Sequence, residues 1–336
     1  MQSEHNISAL KNDKFDSAWQ DAKLWLCKQR RNAPPDADIW DLRFHWEREC
    51  QQLWRAICER KYRLSPMQGY HKKTHESLAQ WSARDALVLK WAALHAQNCL
   101  PIHERCEHSK GHGGVVKSVA HLQEAIKTGE YKFVLRTDIR GYYQYIRKHQ
   151  LWKQISHYIL DTRVTNLIRQ YLYYCVDNGG EIHTPQMGIP RGCALSPLLG
   201  GSLLYFVDME FNATKGIYYP RYMDDFMVLT HTRWQLRKCV ARLNEYFDWG
   251  GFTKHPEKTY IGKLSHGMDW LGVQFDESGA TGISDRALKR HRERCLMLYK
   301  NACIHGVTHN EAMLQIQAYR TRWLKWAQRL IAFNSN

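Results

Sequence analysis

Residues 221–229 read Arg-Tyr-Met-Asp-Asp-Phe-Met-Val-Leu, so two adjacent carboxylates interrupt a run of apolar and strand-forming residues. This pattern is typical of the tip of a tight β-hairpin, although a solvated turn also favours Asp. Met223 precedes the pair and Phe226 follows it, so there is no Gly or Asn to form a primed turn. Two like charges beside apolar side chains repel each other unless a cation lies between them. The stretch therefore indicates a cation site at a hairpin tip.

A third carboxylate, Asp138, ends the β-rich run Tyr-Lys-Phe-Val-Leu-Arg-Thr-Asp at 131–138. An ordinary helix N-cap is the alternative interpretation of this residue. Three carboxylates at strand ends predict a site for two Mg²⁺ ions, because Mg²⁺ prefers hard oxygen ligands and completes its shell with water and phosphate oxygens. In such a site one ion activates a hydroxyl and the other stabilises a leaving pyrophosphate. We expect Mn²⁺ to substitute for Mg²⁺.

Composition and charge restrict the class of protein. The 336-residue chain has 48 Lys+Arg against 33 Asp+Glu, and its net charge of +15 favours a polyanionic partner. A hydrophobic content of 44% is ample for buried cores, and no apolar run approaches the roughly 18 to 20 residues of a membrane span. The first residues lack the apolar region of a signal peptide. Ten scattered cysteines without a CxxC pair indicate reduced core thiols in a cytoplasmic protein, and they disfavour structural zinc.

Apolar periodicity places the secondary structure of one compact, subdivided catalytic unit. Residues recurring at spacings of three and four predict helices, and short β-rich runs ending at acidic or glycine positions predict strands. Helices are predicted over 15–62 with a break at 32–35, over 85–99, 115–128, 284–299 and 310–333, and strands over 131–138, 216–223 and 226–230. The alternation of strands and helices in the middle of the chain indicates the α+β class.

The motifs resemble those of the reverse transcriptases. The Tyr-Met-Asp-Asp at 222–225 and the upstream run at 134–143 match two family blocks, and five blocks occur in order between about Tyr62 and Trp326. The resemblance implies a right-hand polymerase fold with fingers, palm and helical thumb. The expected segments are an N-terminal helical extension at 1–62, fingers at 63–130, a palm at 131–275 with a finger insertion at about 147–185, and a thumb at 276–336.

The resemblance also implies roles for individual residues of the palm. Tyr143 stands at the steric gate that excludes a ribose 2′-OH, and Lys258 at the lysine that protonates pyrophosphate. Arg191, in Gly-Ile-Pro-Arg-Gly, stands where the family usually has Gln. The expected metal ligands are Asp138, Ile139, Asp224 and Asp225. The expected nucleotide-binding residues are Gly141, Tyr142, Tyr143, Arg191 and Gly192 in the palm, with Lys72, Lys73 and Arg84 in the fingers. The expected primer grip is Trp270, Leu271 and Gly272.

The last part of the chain is expected to contact nucleic acid. About 60 residues follow the fifth block, enough for a helical thumb and too few for an RNase H domain. Basic side chains there can neutralise phosphates, and we expect contacts from Arg320, Arg322 and Lys325. Trp323 and Trp326 are expected to be core residues.

The resemblance favours a stand-alone bacterial enzyme of the group II intron-like or defence-associated type. Its expected partners are an RNA template, a DNA product, dNTPs and a structured noncoding RNA. Two alternatives remain open at this stage. One is a catalytically idle, maturase-like RNA-binding protein, against which the three intact aspartates argue. The other is an RNA-dependent RNA polymerase, for which Gly-Asp-Asp and no aromatic gate would be expected.

Overall fold

The computed structural model describes residues 15–71, 77–109 and 111–331 of the chain. The helices are α1 (Ser17–Gln29), α2 (Asp38–Phe44), α3 (Trp46–Cys58), α4 (Ala83–Gln97), α5 (Gly114–Lys127), α6 (Tyr142–Tyr145), α7 (Lys148–Tyr158), α8 (Thr162–Leu172), α9 (Leu195–Leu203), α10 (Tyr205–Ala213), α11 (Arg233–Gly250), α12 (Asp285–Ile304) and α13 (His309–Ile331). The strands are β1 (Met67–His71), β2 (Ser77–Gln80), β3 (Phe133–Asp138), β4 (Val176–Asn178), β5 (Glu181–His183), β6 (Ile217–Tyr218), β7 (Arg221–Tyr222), β8 (Asp225–Thr230), β9 (Tyr260–Lys263), β10 (Met268–Trp270), β11 (Val273–Asp276) and β12 (Gly279–Ile283).

The chain divides into two compact units. Unit 1 contains the described residues up to 102, together with 141–205 and 250–252. Unit 2 contains 103–140, 206–249 and the described residues from 253 onward. The predicted fingers segment falls across both units, because α5 belongs to unit 2. The four-segment division of the chain stays a prediction.

Unit 1 is built around α4, which packs against α1, α8 and α9. Its sequence is apolar on nearly every face, so Leu87, Val88 and Trp91 are fully buried. The unit also contains a four-stranded sheet in the order β2-β1-β4-β5, in which β1 and β4 are parallel and the other pairs antiparallel.

Unit 2 contains a five-stranded antiparallel sheet in the order β6-β8-β3-β9, with β7 also paired to β8. One face of this sheet, α5 and the three-stranded sheet β10-β11-β12 share an apolar core. Val134 and Leu229 face this core from the large sheet, and Trp270 and Phe275 face it from the small one. Burial of such large side chains contributes about 2 kcal/mol each, which fixes β3 and β8 as a rigid base.

The predicted elements correspond closely to the observed ones, and one predicted strand is divided. The strand predicted over 216–223 is split into β6 and β7, because Pro220 between them has no N–H for the ladder. Asp138 ends a strand and caps no helix, since α6 has Gly141 at its N-cap. The helix predicted over 310–333 is α13 to residue 331, and its last two residues lie outside the described part.

Two expectations from composition concern membrane-spanning helices and the burial of the cysteines. Among the described residues, no helix is both long enough and apolar enough to cross a membrane. The ten cysteines are free, but Cys99 and Cys303 are exposed, so the prediction that all are core thiols is wrong. Both residues lie at or beyond the ends of buried helix faces, where apolar periodicity no longer determines burial.

Candidate active site

The β3–β8 pairing brings the three predicted carboxylates of unit 2 together. Asp138 is the last residue of β3 and lies opposite Asp225, the first residue of β8. The N–H of Ile139 donates to the carbonyl of Asp224 at 3.2 Å, which joins the end of β3 to the hairpin turn. Two acidic residues that are 86 and 87 positions from Asp138 in sequence thus meet it at one edge of the sheet.

The turn that presents Asp224 is a two-residue turn, since Tyr222 pairs with Asp225 across it. Met223 has a φ of +59°, in the left-handed region that a primed turn requires. The absence of Gly and Asn suggested that no such turn forms, and that expectation is wrong. The conformation costs about 1–2 kcal/mol for a residue with a side chain, so contacts from neighbouring elements must stabilise it.

The electrostatics of the turn are those of crowded carboxylates. Burial, followed by repulsion from Asp138 and Asp225, raises the pKa of Asp224 to about 7. Burial and repulsion from Asp138 raise the pKa of Asp225 to about 6, although Arg136 and Lys258 act in the opposite direction. Asp224 therefore stays partly protonated near neutral pH, and both carboxyls ionise more readily when a further cation compensates them.

Two cations already lie beside these carboxylates. Nζ of Lys258, in a short 3₁₀ turn at Pro256–Lys258, contacts the carboxylate of the buried Asp138. A guanidinium nitrogen of Arg136 lies 3.9 Å from Oδ1 of Asp225, and another contacts the carboxylate of Asp269 in β10. Lys258 thus lies beside the carboxylates, and its role toward pyrophosphate stays a prediction.

The donor set suits a divalent cation, although no preformed cage is present. Oδ1 of Asp225 is buried and has no hydrogen-bond partner among the described residues. Within the described ranges, no three His, Cys, Asp or Glu side chains are arranged as a complete metal site. In this arrangement Lys258 compensates Asp138, where a metal ion was expected. Carboxylate oxygens from Asp138, Asp224 and Asp225 are nevertheless the ligand type that Mg²⁺ takes.

The predicted nucleotide-binding residues of the palm lie in unit 1. The ring of Tyr142 is buried and its hydroxyl donates to the carbonyl of Gly200 at 2.7 Å, while Tyr143 is half-buried beside it. Arg191 and Gly192 line a cavity of about 990 Å³. Gly141 has a φ of +61° and precedes α6.

Gly188 lies where two backbone segments of unit 1 meet closely. A Cβ at this position would lie 2.8 Å from the carbonyl oxygen of Tyr143, so the glycine permits close contact between two backbone segments. That contact includes a hydrogen bond from the N–H of Ile189 to the carbonyl of Tyr143, at 2.9 Å. The glycine therefore fixes the position of the predicted gate.

Arg84 is engaged differently from the prediction. Its Nε donates to Glu49 at 2.7 Å and Nη2 donates to Asp41 at 3.3 Å, so the N-terminal helices neutralise its charge. This pairing weighs against a contact with triphosphate, which stays a prediction for Arg84. Lys72 and Lys73 lie outside the described residues.

The predicted primer-grip residues lie in the β10–β11 hairpin, and their grip on a primer stays a prediction. Trp270 is fully buried, and its Nε1 donates to Oγ of Ser118 at 2.9 Å. Leu271 and Gly272 form the β10–β11 turn with φ values of +49° and +92°. A Cβ on Gly272 would lie 3.0 Å from the ring of Trp326, which places α13 against this hairpin.

The predicted nucleic-acid contacts and aromatic core residues of the last helix lie on α13. Arg320, Arg322 and Lys325 are all exposed on this helix, whereas Trp323 and Trp326 are half-buried. Trp323 stacks on His291 of α12 with ring centroids 4.1 Å apart. The basic side chains are thus accessible to a polyanion. Trp323 joins α13 to α12 and Trp326 packs at the margin of the unit 2 core, so neither is the fully buried core residue that was expected.

Sequence reasoning missed several residues that support the site. They are Arg136, Asp269, Asp208, Arg221 and His108. A signal existed for Arg136, because a charge two residues before Asp138 in an apolar strand lies on the same face as that carboxylate. Asp208 and Arg221 form a fully buried ion pair that no local pattern indicates.

An antiparallel sheet that carries one aspartate at a strand end and an Asp-Asp turn beside it defines the palm of a right-hand nucleic-acid polymerase. The family model described as reverse transcriptase (RNA-dependent DNA polymerase) matches residues 93–275. The chain belongs to this family, whose activity is that of an RNA-directed DNA polymerase, a nucleotidyltransferase. The predicted α+β polymerase fold and the family resemblance are therefore confirmed.

The chain also resembles two solved telomerase structures. It is similar to apo telomerase from Candida tropicalis truncated from its C-terminal domain, with 17% identity, 56% of this chain and 43% of that chain covered, and a TM-score of 0.43. It is similar to telomerase from Candida albicans in complex with a TWJ fragment of telomeric RNA, with 15% identity, 74% and 49% covered, and a TM-score of 0.43. The chain spans less than half the length of both telomerases. No curated protein matches the chain.

Proposed function

We propose that this chain synthesises DNA on an RNA template by two-metal nucleotidyl transfer. We further propose that it acts in the bacterial cytoplasm, in a defence or mobile-element system, on a structured noncoding RNA. The observation that carries the proposed reaction is the meeting of Asp138 with Asp224 and Asp225 at one edge of the unit 2 sheet, with Lys258 beside them.

The carboxylates would hold the metal ions in this reaction. Asp138, Asp224 and Asp225 supply oxygen ligands, and the Ile139 carbonyl is the fourth proposed donor. Bound Mg²⁺ supplies a lowered pKa for the primer hydroxyl and charge compensation for the leaving pyrophosphate. The raised pKa values of Asp224 and Asp225 support this role, because uncompensated carboxylates gain most from an added cation.

Other residues of this chain would act on the nucleotide directly. Lys258 contacts Asp138 and is proposed to give a proton to the leaving pyrophosphate. Tyr143 is proposed to exclude the 2′-OH of a ribonucleotide by steric overlap. Arg191 is proposed to bind phosphate or base from the cavity that it lines in unit 1.

The carboxylates provide the direct test. Asp224→Ala combined with Asp225→Ala should reduce Mg²⁺-dependent extension of a DNA primer on RNA to the level without enzyme. RNA binding by filter retention should stay within about twofold, because the carboxylates hold metal and not template. Asp248→Ala, at an exposed position of α11, is the matched control and should extend normally. Extension by the double variant above background would contradict the assignment.

The template and the biological context need a separate experiment. Sequencing RNA and DNA that copurify with the protein from its host should recover one structured RNA together with complementary DNA. Recovery of random cellular RNA without complementary DNA would contradict a dedicated template. RNA without DNA, and no extension in vitro, would favour the maturase-like alternative.

A further inference from the structure

The backbone of Met223, at the tip of the β7–β8 hairpin, is held by two side chains. Its N–H donates to Nδ1 of His108 at 3.1 Å. Its carbonyl accepts a hydrogen bond from a guanidinium nitrogen of Arg221 at 2.6 Å. Because both polar groups of one residue are fixed, the rotation of the peptides on either side of Met223 is restricted.

This restraint acts on a conformation that Met223 would not adopt freely. Its φ of +59° brings Cβ close to the carbonyl oxygen, and a methionine favours the extended or right-handed regions instead. A turn of this kind persists only when its surroundings over-determine it. The two hydrogen bonds to Met223 are the contacts that stabilise this conformation.

Arg221, which binds the carbonyl of Met223, is anchored by a buried ion pair. Arg221 and Asp208 are both fully buried, and the guanidinium binds the carboxylate through two nitrogens. The hydroxyl of Tyr219 also donates to Asp208, at 2.7 Å. A planar guanidinium held in this way has a fixed orientation, so its third nitrogen is directed at the carbonyl of Met223.

His108, which accepts the N–H of Met223, is placed by a backbone segment that runs beside β7. The N–H of Arg221 donates to the carbonyl of Arg105 at 2.8 Å, and the N–H of Glu107 donates to the carbonyl of Arg221 at 2.9 Å. This pairing brings the next residue, His108, level with the turn. The imidazole also lies 5.9 Å from the ring of Tyr222, in an edge-to-face arrangement.

We propose that His108 and the Asp208–Arg221 pair are positioning residues that fix the direction of the Asp224 carboxylate. Asp224 follows Met223 directly, and its own carbonyl accepts the N–H of Ile139 at 3.2 Å. The peptide before Asp224 is restrained through Met223. The peptide after Asp224 is restrained by Ile139, the residue that follows β3. This inference rests on the proposed polymerase function, because it assigns these residues to the placement of a carboxylate used in that reaction.

The kinetic test compares two histidines of the same segment. His108→Ala should lower kcat for primer extension by between about tenfold and a hundredfold, because misplacement of a reacting group costs rate more than binding. KM for dNTP and Kd for primer–template should stay within about twofold. His108→Asn keeps an acceptor near the position of Nδ1 and should recover most of kcat. His112→Ala is the control for loss of an imidazole from the same segment, because the His112 imidazole hydrogen-bonds to the carbonyl of Cys106 and not to Met223, and it should behave as wild type.

The second test measures the restraint without any activity. Met223→Gly relieves the left-handed strain, and the relief is greatest where His108 enforces that conformation. The increase in urea midpoint from Met223→Gly should therefore be larger in the wild-type background than in the His108→Ala background. Equal increases in both backgrounds, or equal kcat losses in His108→Ala and His112→Ala, would overturn the proposal.

The two tests separate this inference from the proposed function. If wild-type protein extends no primer, the polymerase proposal fails, while the urea comparison still reports whether His108 restrains Met223. If extension occurs and His108→Ala matches wild type in kcat, the positioning role fails and the polymerase proposal stands.

Discussion

Arg136 lies on the same face of β3 as Asp138, where it contacts Asp269 and lies 3.9 Å from Asp225. Its side chain is only 8% exposed, so the surrounding carboxylates compensate its charge in place of water. One cation thus links the candidate metal-binding turn to β10, which is part of the predicted primer-grip hairpin. Arg136 therefore contributes both to the stability of unit 2 and to the charge balance of the candidate active site.

Replacing Arg136 by Met should destabilise unit 2. The change leaves Asp269 and Asp225 without their shared cation, and breaking a buried pair from one side costs about 3 kcal/mol. Urea unfolding measures this loss. Asp269→Leu added to Arg136→Met should recover part of it, because the uncompensated carboxylate is then removed. Independent, additive losses would show that the two residues do not act as a pair.

Tyr143 is the residue that decides sugar selection if the proposed gate is correct. Tyr143→Ala opens the space beside the 2′ position, so kcat/KM for rCTP relative to dCTP should rise by about tenfold or more. Steady-state extension with each nucleotide gives both values. Tyr145→Ala, at an exposed tyrosine of the same helix, is the control. An unchanged ratio in Tyr143→Ala would make this ring a packing residue.

At the scale of the elements, α4 begins with a reciprocal side-chain cap. Oγ of Ser82 accepts the N–H of Asp85 at 3.0 Å, and the Asp85 carboxylate accepts the Ser82 hydroxyl at 2.7 Å. Asp85 also accepts the hydroxyl of Tyr62 at 2.8 Å. The cap therefore holds the first turn of the central helix of unit 1 and ties it to the segment after α3. Ser82→Ala should cost about 1 kcal/mol in urea unfolding.

The same cap gives stability a pH dependence. Burial raises the pKa of Asp85 above its ordinary value of 3.8, so the folded state binds this proton more tightly than the unfolded chain. The contribution of Asp85 to stability is therefore fully present below about pH 4 and falls as pH rises through the folded-state pKa. The stability of wild type relative to Asp85→Asn should be greater at pH 4 than at pH 7. Asp21→Asn, at an exposed position of α1, is the control for the same chemical change elsewhere in unit 1.

Elements were more predictable from sequence than the contacts between them. The helices α3 and α5 follow from apolar residues at spacings of three and four, which report one buried face. The pairing of Arg136 with Asp269 joins residues 133 positions apart, and local periodicity contains no information about it. The left-handed Met223 was likewise unpredictable, because partners distant in sequence impose it. Family motifs located the three aspartates and Lys258, but not the residues that hold them.

At the scale of the whole molecule, the net charge of +15 attracts a nucleic acid before any specific contact forms. Part of this charge lies on α13, where Arg320, Arg322 and Lys325 are exposed. Each phosphate contact releases condensed counterions, so log Kobs should fall by roughly 0.7 to 0.9 per contact for each unit of log[salt]. The dependence of affinity on salt therefore counts the contacts.

Replacing Arg320, Arg322 and Lys325 by Gln should flatten this slope by about two units for a primer–template duplex, if α13 lies along its backbone. The matched control replaces three exposed basic residues of α11, Arg233, Arg237 and Lys238, by Gln. That variant should keep the wild-type slope, and a flattened slope there with an unchanged slope for the α13 variant would place the duplex along α11. Binding isotherms at several salt concentrations measure both slopes. A structured cognate RNA should keep its advantage over random RNA in the α13 variant, because shape and unpaired bases supply the part of recognition that salt does not screen.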